Sequence, residues 1–348
     1  MNWIPKKPIN KDLVNKLLAT SLETNQFTNN GPNVKRLEDF IREKFIIDDS
    51  KSVIAVTNGA VALHSLSAGI QYTEKISMQW ATQAFTFPPS AQSNLSTCKI
   101  IDIDLDGGIN LDELDDSING IIVTNIFGNV VDIDKYVQWS TNNNKFLIFD
   151  NAATGYTFYK GKNSVNYGNG CILSFHHTKP FGFGEGGAII VDKKYENSIR
   201  CLNNFGIGLT NNYWVKEGNN NKMSDISAVY ILQFLMDNME TIIDKHMKLY
   251  IYFMNKMREH NITSFKLFPS FHTETDIIVP SCFSLLFDNY DDNSRLRLLE
   301  NNIFCRKYYH PLNDAVTANI IFEKILCISC TTEMTITDID KIITLLSL

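Results

Sequence analysis

The sequence predicts an α/β fold built on a mainly parallel sheet. Short apolar runs recur between residues 52 and 191, and helix-compatible segments lie between several of them. Asp150, Asn125 and Gly59 each fall at or just past the end of such a run. That alternation places helices over a parallel sheet, and such sheets bind ligands beyond the carboxyl ends of their strands.

The elements follow in chain order. Val34, Leu37, Phe40, Ile41 and Phe45 recur at helical spacing, so an amphipathic helix follows the Gly31-Pro32 turn. Ser52–Val56 reads as a strand, and Ala60–Gly69 as a helix entered through Thr57-Asn58-Gly59. Further strands are expected at Lys99–Ile103, Ile121–Thr124, Phe146–Phe149, Ile172–Phe175 and Ala188–Val191, with Asp132–Ser140 helix-compatible. The Asn-rich patches Thr141–Asn144 and Asn219–Asn221 read as loops. From about Ser224 the pattern becomes a long helix with Ile226, Val229, Leu232, Leu235 and Met236 on one stripe. Shorter strands and two helical pieces follow, and the last helix is expected to start at Thr337, capped by that hydroxyl. The change of pattern divides the chain into a large α/β domain, residues 1–235, and a small C-terminal α+β domain, residues 236–348.

Composition narrows the function classes. With 348 residues, 44% hydrophobic and 20% charged, the chain is of ordinary globular character. A net charge of −6 argues against a nucleic-acid partner, which selects for a basic face. No apolar stretch approaches the ~20 residues of a membrane helix, and Met1–Pro8 lacks the apolar core of a secretory signal. Seven scattered cysteines suit a reducing compartment, so a cytoplasmic location is expected. Cys327-Ile-Ser-Cys330 has redox or zinc spacing but no second pair and no nearby histidine. On a strand, residues three apart face opposite sides, so both are expected in the core and no metal site is expected.

The chemistry is carried by Ser174-Phe-His-His-Thr-Lys179 and the glycine-rich Gly182-Phe-Gly-Glu-Gly-Gly187 that follows it. A lysine there can form a Schiff base with an aldehyde cofactor while the serine binds that cofactor's phosphate. Asp150 closes the run Lys145–Phe149, where its carboxylate can pair with a pyridine nitrogen and keep the ring protonated. Backbone N–H groups of Gly59 and Ala60, at a helix N-terminus, offer a second phosphate contact. Phe87 and Ala152 can cover the two ring faces. Together these are the four requirements of pyridoxal phosphate. The segment Gly182–Gly187 also fits G-x-G-x-x-G, but it leads into the strand Ala188–Val191 and not into a helix, so no helix dipole faces a pyrophosphate.

These blocks resemble the DegT/DnrJ/EryC1/StrS nucleotide-sugar aminotransferases over nearly the whole chain. Asn30-Gly-Pro-Asn-Val-Lys-Arg-Leu-Glu38 is similar to the family's G-P-x-V-x-x-F-E, and Thr57–Leu63 to its S-G-T-x-A-L turn. Phe85-Thr-Phe87, Asn125–Asp132 and Asp150-Asn-Ala-Ala153 resemble its T-F, H-x-x-G-x-x-x-D and D-A-A-Q segments. Ser174–Gly187 is close to S-F-H-x-T-K-x-x-x-x-G-E-G-G, Gly218–Met223 to G-x-N-x-R-M, and Tyr308–Leu312 to Y-x-P-L-H. The resemblance implies the fold-type I (aspartate aminotransferase-like) architecture, with a seven-stranded, mainly parallel sheet and a smaller C-terminal domain. It implies pyridoxal 5′-phosphate as cofactor, Lys179 and Asp150 as catalytic residues, and a homodimer in which Asn220 reaches the neighbour's cofactor phosphate. Asn125, His176, Tyr308 and Tyr309 become candidate substrate contacts. Ala60, Ala153, Asn125 and Asn313 depart from the usual threonine, glutamine or histidine, and histidine respectively. The expected reaction is amination of a UDP- or dTDP-linked 4-keto-6-deoxyglucose by glutamate, giving a viosamine-type 4-amino sugar. Amination at C3 and a non-catalytic, cofactor-binding regulator are the alternatives.

Overall fold

The computed structural model describes residues 2–210, 213–269 and 275–347. In chain order, the first nine strands are β1 (Lys51–Val56), β2 (Trp80–Gln83), β3 (Lys99–Ile101), β4 (Gly120–Thr124), β5 (Phe146–Asp150), the short pair β6 (Phe158–Tyr159) and β7 (Lys162–Asn163), β8 (Gly170–Ser174) and β9 (Gly187–Asp192). Seven of them form the main sheet in the order β1-β9-β8-β5-β4-β2-β3. β9 pairs antiparallel with both neighbours, and every other pair is parallel. The mainly parallel, seven-stranded sheet expected from the sequence is therefore present.

Alternation along the strands sends their side chains into two cores. Val53, Ala55, Ile121, Val123, Leu147, Phe149, Cys171 and Leu173 face a layer made by α1 (Lys11–Thr24), α2 (Pro32–Lys44), α4 (Ile133–Asn143) and the first half of a later long helix. Ile54, Val56, Ile122, Ile148, Ile172 and Ile189 face α3 (Gly59–Glu74) and α5 (Lys193–Leu202) on the other side. Burial on both faces is why these strands read as continuous apolar runs. β2 was not expected, because Trp-Ala-Thr-Gln carries polar residues. They are tolerated because they are paired: Thr82 donates to Ile122 O (3.3 Å), and the Gln83 side chain accepts from Thr124 N (2.9 Å) and donates to Phe85 O (3.1 Å) and Gly107 O (3.0 Å).

The long helix α6 (Asp225–Glu259) starts at Ser224, whose hydroxyl accepts from Ser227 N (3.1 Å), as the pattern change near Ser224 led one to expect. Val229 and Leu232 pack in the large core, and Leu249 and Phe253 in a second one. The proposed division at residues 235 and 236 thus falls inside one continuous helix. Beyond it lie β10 (Phe265–Leu267), β11 (Thr275–Ile277), β12 (Cys282–Phe287), α7 (Asp292–Glu300), β13 (Cys305–Arg306), α8 (Val316–Lys324), β14 (Ile325–Ser329) and α9 (Ile336–Leu346). Strands β10-β12-β14-β13 form an antiparallel sheet, while β11 joins β6 and β7. One face of the four-stranded sheet packs on α6, α7 and α9, and the other on Phe85, Phe127 and α8.

Two local expectations are corrected. Thr335, not Thr337, caps α9: its hydroxyl accepts from Asp338 N, and Asp338 accepts from Thr335 N, a reciprocal pair that fixes the start two residues earlier. Thr141–Asn143 are helical, not loop, because Thr141 and Asn143 bond back to Val137 O and Trp139 O, and Asn144 adopts the left-handed cap. Cys327 and Cys330 are buried free thiols, each in a different core, as their spacing on a strand predicts.

Asp102, just past β3, fastens the two domains. It accepts from Thr317 N (2.7 Å) and Ala318 N (2.9 Å), capping α8 of the small domain from the large one. Burial raises its pKa, but the N–H donors of Thr317, Ala318 and Ile103 outweigh burial and hold the carboxyl below its usual range. A depressed folded pKa contributes stability above the unfolded value of about 3.9 and loses it as pH falls through the folded value. Asp102→Ala should cost about 1 kcal/mol in chemical denaturation at neutral pH, and the difference from wild type should shrink in that acid window.

Candidate active site

The main cavity opens at the carboxyl ends of the parallel strands, where the small domain covers them, and has a volume of about 580 Å³. That size suits a cofactor together with a small-molecule substrate. Gly59, Ala60, Phe87, Asp150, Ala152, Ser174, His176, Lys179, Tyr308 and Tyr309, ten residues singled out in the sequence, all line it.

β1 ends at Val56, and Asn58 caps α3 by accepting from Val61 N (2.9 Å). The first N–H groups of the helix, on Gly59 and Ala60, have no partner within the helix and face the cavity. Ser174, the last residue of β8, lies against this N-terminus: a Cβ on Gly59 would sit 2.9 Å from Ser174 Cβ and 3.2 Å from its Oγ. Hydroxyl and helix end form one anion cradle, which a methyl group would fill. Gly59→Ala should weaken pyridoxal phosphate binding about tenfold, or ~1.4 kcal/mol, in a titration of the apoprotein, with the fold intact by circular dichroism.

After Ser174 the chain turns back toward β9. Phe175 N and His177 N donate to Gly186 O and Gly184 O, both at 2.8 Å, and Lys179 N donates to His176 O (2.8 Å). Gly182 N then donates to Lys179 O (3.0 Å). A Cβ on Gly182 would lie 2.0 Å from His176 O, so this close backbone approach excludes any side chain. The turn projects Lys179 into the cavity, across from Asp150 at the end of β5.

Asp150 is 6% exposed, and its side chain accepts from Ala152 N (2.9 Å). Burial raises its pKa, opposed by that N–H and by Lys179. Burial lowers the pKa of Lys179, opposed by Asp150 and Cys282. Burial thus resists the charge on each group, and each opposes that shift in the other. A depressed lysine is a better nucleophile and proton carrier at neutral pH. A buried carboxylate facing a cavity calls for a cationic hydrogen-bond donor. Anion cradle, opposed acid and desolvated amine on the walls of one cavity fit pyridoxal phosphate, whose phosphate, ring nitrogen and aldehyde they match in kind.

This geometry agrees with the comparisons. A family model described as the DegT/DnrJ/EryC1/StrS aminotransferase family matches residues 8–347. The chain belongs to that family. It is a pyridoxal 5′-phosphate-dependent nucleotide-sugar aminotransferase. The dTDP-4-amino-4,6-dideoxy-D-glucose transaminase of Shigella dysenteriae is 27% identical over 90% of this chain and 89% of its own. Among solved structures, a pyridoxal-phosphate-dependent aminotransferase of Bacillus cereus superposes with a TM-score of 0.83 at 20% identity, covering 99% of both chains. A DegT DnrJ EryC1 StrS aminotransferase of Brucella abortus superposes with a TM-score of 0.82 at 19% identity, covering 97% of this chain and 95% of its own.

One expected site residue lies off the cavity in this aminotransferase, and a second was expected to serve a neighbouring subunit. Asn125 is fully buried and off the cavity: it donates to Asn151 Oδ1 (2.7 Å) and accepts from Val131 N (3.1 Å). The cause is strand alternation, since Thr124 faces the cavity and its successor therefore faces away. Asn220 is exposed and does not line its own chain's cavity. Sequence reading missed Trp3, Phe127, Cys282, Arg306 and Ser329 on the cavity wall. Tyr309 stacks on Phe127 (5.2 Å, 7°) and meets Phe87 edge-on (6.4 Å). Arg306 lies over the Trp3 ring (5.2 Å) and donates to Tyr308 Oη (2.8 Å). Arg306 and Phe127 had nearby signals, two residues before Tyr308 and two after Asn125.

Proposed function

We propose that this enzyme transfers an amino group from glutamate to C4 of a dTDP-linked 4-keto-6-deoxyglucose, yielding the 4-amino-4,6-dideoxy sugar. The observation that carries the reading is the Shigella relative, named for that sugar nucleotide and aligned over nine-tenths of both chains. An Escherichia coli relative of the same name, 26% identical over 88% of this chain, supports it. A Campylobacter jejuni relative is named for a UDP-linked amino sugar, but it aligns with only 63% of this chain.

Pyridoxal phosphate, when bound, supplies an electron sink that makes the donor Cα–H acidic. Lys179 Nζ would take that proton as a base and return it to the neighbouring carbon as an acid. The Asp150 carboxylate would accept the ring N–H and be kept ionised by that pairing. Gly59 N, Ala60 N and Ser174 Oγ would hold the phosphate, and Phe87 and Ala152, on the same cavity wall, would border the ring. Arg306 at the cavity wall offers a cation to the diphosphate, beside the apolar surface of Trp3 and Tyr308.

We read the working unit as a homodimer. Phe205, Tyr213 and Trp214 are 49%, 78% and 60% exposed in the region that carries Asn220, an apolar patch that a second copy would cover. Asn220 would then serve the neighbour's phosphate. No helix among the described residues is long and apolar enough to cross a membrane, and seven free cysteines suit a reducing cytoplasm. The test is a panel of dTDP- and UDP-linked 4-keto and 3-keto 6-deoxyhexoses with glutamate, with products identified by NMR. The reading predicts a 4-amino product formed fastest from the dTDP 4-ketone; turnover of 3-ketones alone overturns it.

A further inference from the structure

Residues 3–8 run from the mouth of the cavity to the back of the Lys179 turn. Trp3 lines the cavity, and its carbonyl accepts from Ser329 Oγ (2.7 Å). Lys6 N donates to Glu333 Oε1 (2.9 Å), which ties the segment to the small domain. Lys7 then turns inward. Its ammonium donates to Lys179 O (2.7 Å) and to Gly182 O, the first and last residues of the turn that presents Lys179. On its other side the ammonium lies 4.8 Å from the ring centroid of Phe234, a residue of α6 that is 3% exposed. A second cavity of about 180 Å³, walled by Lys7, Lys179, Pro180 and Phe234, lies between the turn and α6.

This is an expensive place for a cation. Among the described residues no carboxylate pairs with Lys7, and burial lowers its pKa to about 7. Its partners are two backbone carbonyls, a Phe ring and nothing anionic. The turn's own bond, Gly182 N to Lys179 O, closes it from inside, and Lys7 closes the same turn from outside. Rotation of the peptide after Lys179 would swing that carbonyl and, with it, the direction of the Lys179 side chain. We propose that Lys7 is a positioning residue whose ammonium clamps the Lys179–Gly182 turn and so aims the Lys179 amine into the cavity. It acts through the backbone, since its ammonium holds the Lys179 carbonyl and not the Lys179 amine. The inference rests on the reading of Lys179 as the reacting amine.

The test compares wild type, Lys7→Met and Lys7→Arg. Methionine keeps an apolar stem over Phe234 and removes the donors; arginine restores charge and donors. Each apoprotein is mixed with pyridoxal phosphate, quenched with borohydride at timed intervals, and the modified peptide quantified by mass spectrometry. Wild type must label at Lys179; failure there overturns the assignment of Lys179 itself, and this inference with it. Given that control, Lys7→Met should label Lys179 about tenfold more slowly or worse, as expected for a reacting group displaced by a fraction of an ångström. Its kcat should fall alongside, with KM for the nucleotide sugar unchanged, and Lys7→Arg should recover most of the loss. A folded Lys7→Met that labels and turns over like wild type overturns the proposal, as does a loss that only tracks the unfolded fraction in thermal melts. Should Lys7→Met not fold, Lys7→Gln, with two donors on a shorter stem, is judged by the same labelling rate.

Discussion

Lys179→Ala is expected to abolish transamination and the visible absorbance of the bound cofactor. Two functions are lost together. On the proposed reading the amine would bond the aldehyde, and from the cavity wall opposite Asp150 it would also carry the proton between donor and cofactor carbons. Proton transfer alone is worth about 10²–10⁴ in rate, and loss of the covalent attachment adds to it. The cradle of Gly59, Ala60 and Ser174 is untouched, so the variant should still bind pyridoxal phosphate, more weakly and in exchange with solvent. Measured kcat above roughly one-hundredth of wild type would contradict the role given to this residue.

Asp150→Asn is expected to have the next largest effect. The substitution keeps the volume and removes the charge that would accept the ring N–H. Loss of one preorganised electrostatic partner costs on the order of 10²–10³ in kcat. The change also carries a signed pH signature. Burial lowers the Lys179 pKa, and Asp150 is the foremost group opposing that shift. Without the carboxylate the lysine pKa should fall further, so the pH above which Lys179 reacts as a free amine should move down. Labelling of Lys179 against pH, in variant and wild type, reads this directly. An unchanged kcat, or a limb that moves to higher pH, would show that the two groups do not face one another as described.

Those two residues were legible in the sequence because their surroundings are local. Asp150 ends an apolar run, Lys179 follows a strand-ending serine by five residues, and Gly59 opens a helix capped by its neighbour Asn58. Each needs only a few consecutive residues to place it at the carboxyl edge of the sheet. The strands buried on both faces were legible for the same reason, while β2 was hidden by polar side chains whose partners come from distant segments. Asn125 shows the limit of reading position without orientation: one residue beyond Thr124, it turns to the opposite face of the sheet and is used up in the core.

What the sequence did not show are contacts closed by tertiary folding. Lys7 meets the carbonyl of a residue 172 positions away, and Trp3 meets Ser329. No periodicity or local motif marks such a residue, since its hydrogen-bond partners come from distant parts of the chain. The small domain's share of the cavity wall, Cys282, Arg306 and Ser329, was hidden in the same way. The domains meet through Asp102 and an apolar layer around Phe85 and Phe127, so the cavity exists only once both have folded.

The most direct test of the account is to reduce the purified holoenzyme with borohydride, digest it, and locate the pyridoxyl phosphate group by mass spectrometry. The account predicts a single modified peptide, with the added mass on Lys179. A modification on another lysine, or none in a protein that still turns over, would contradict it.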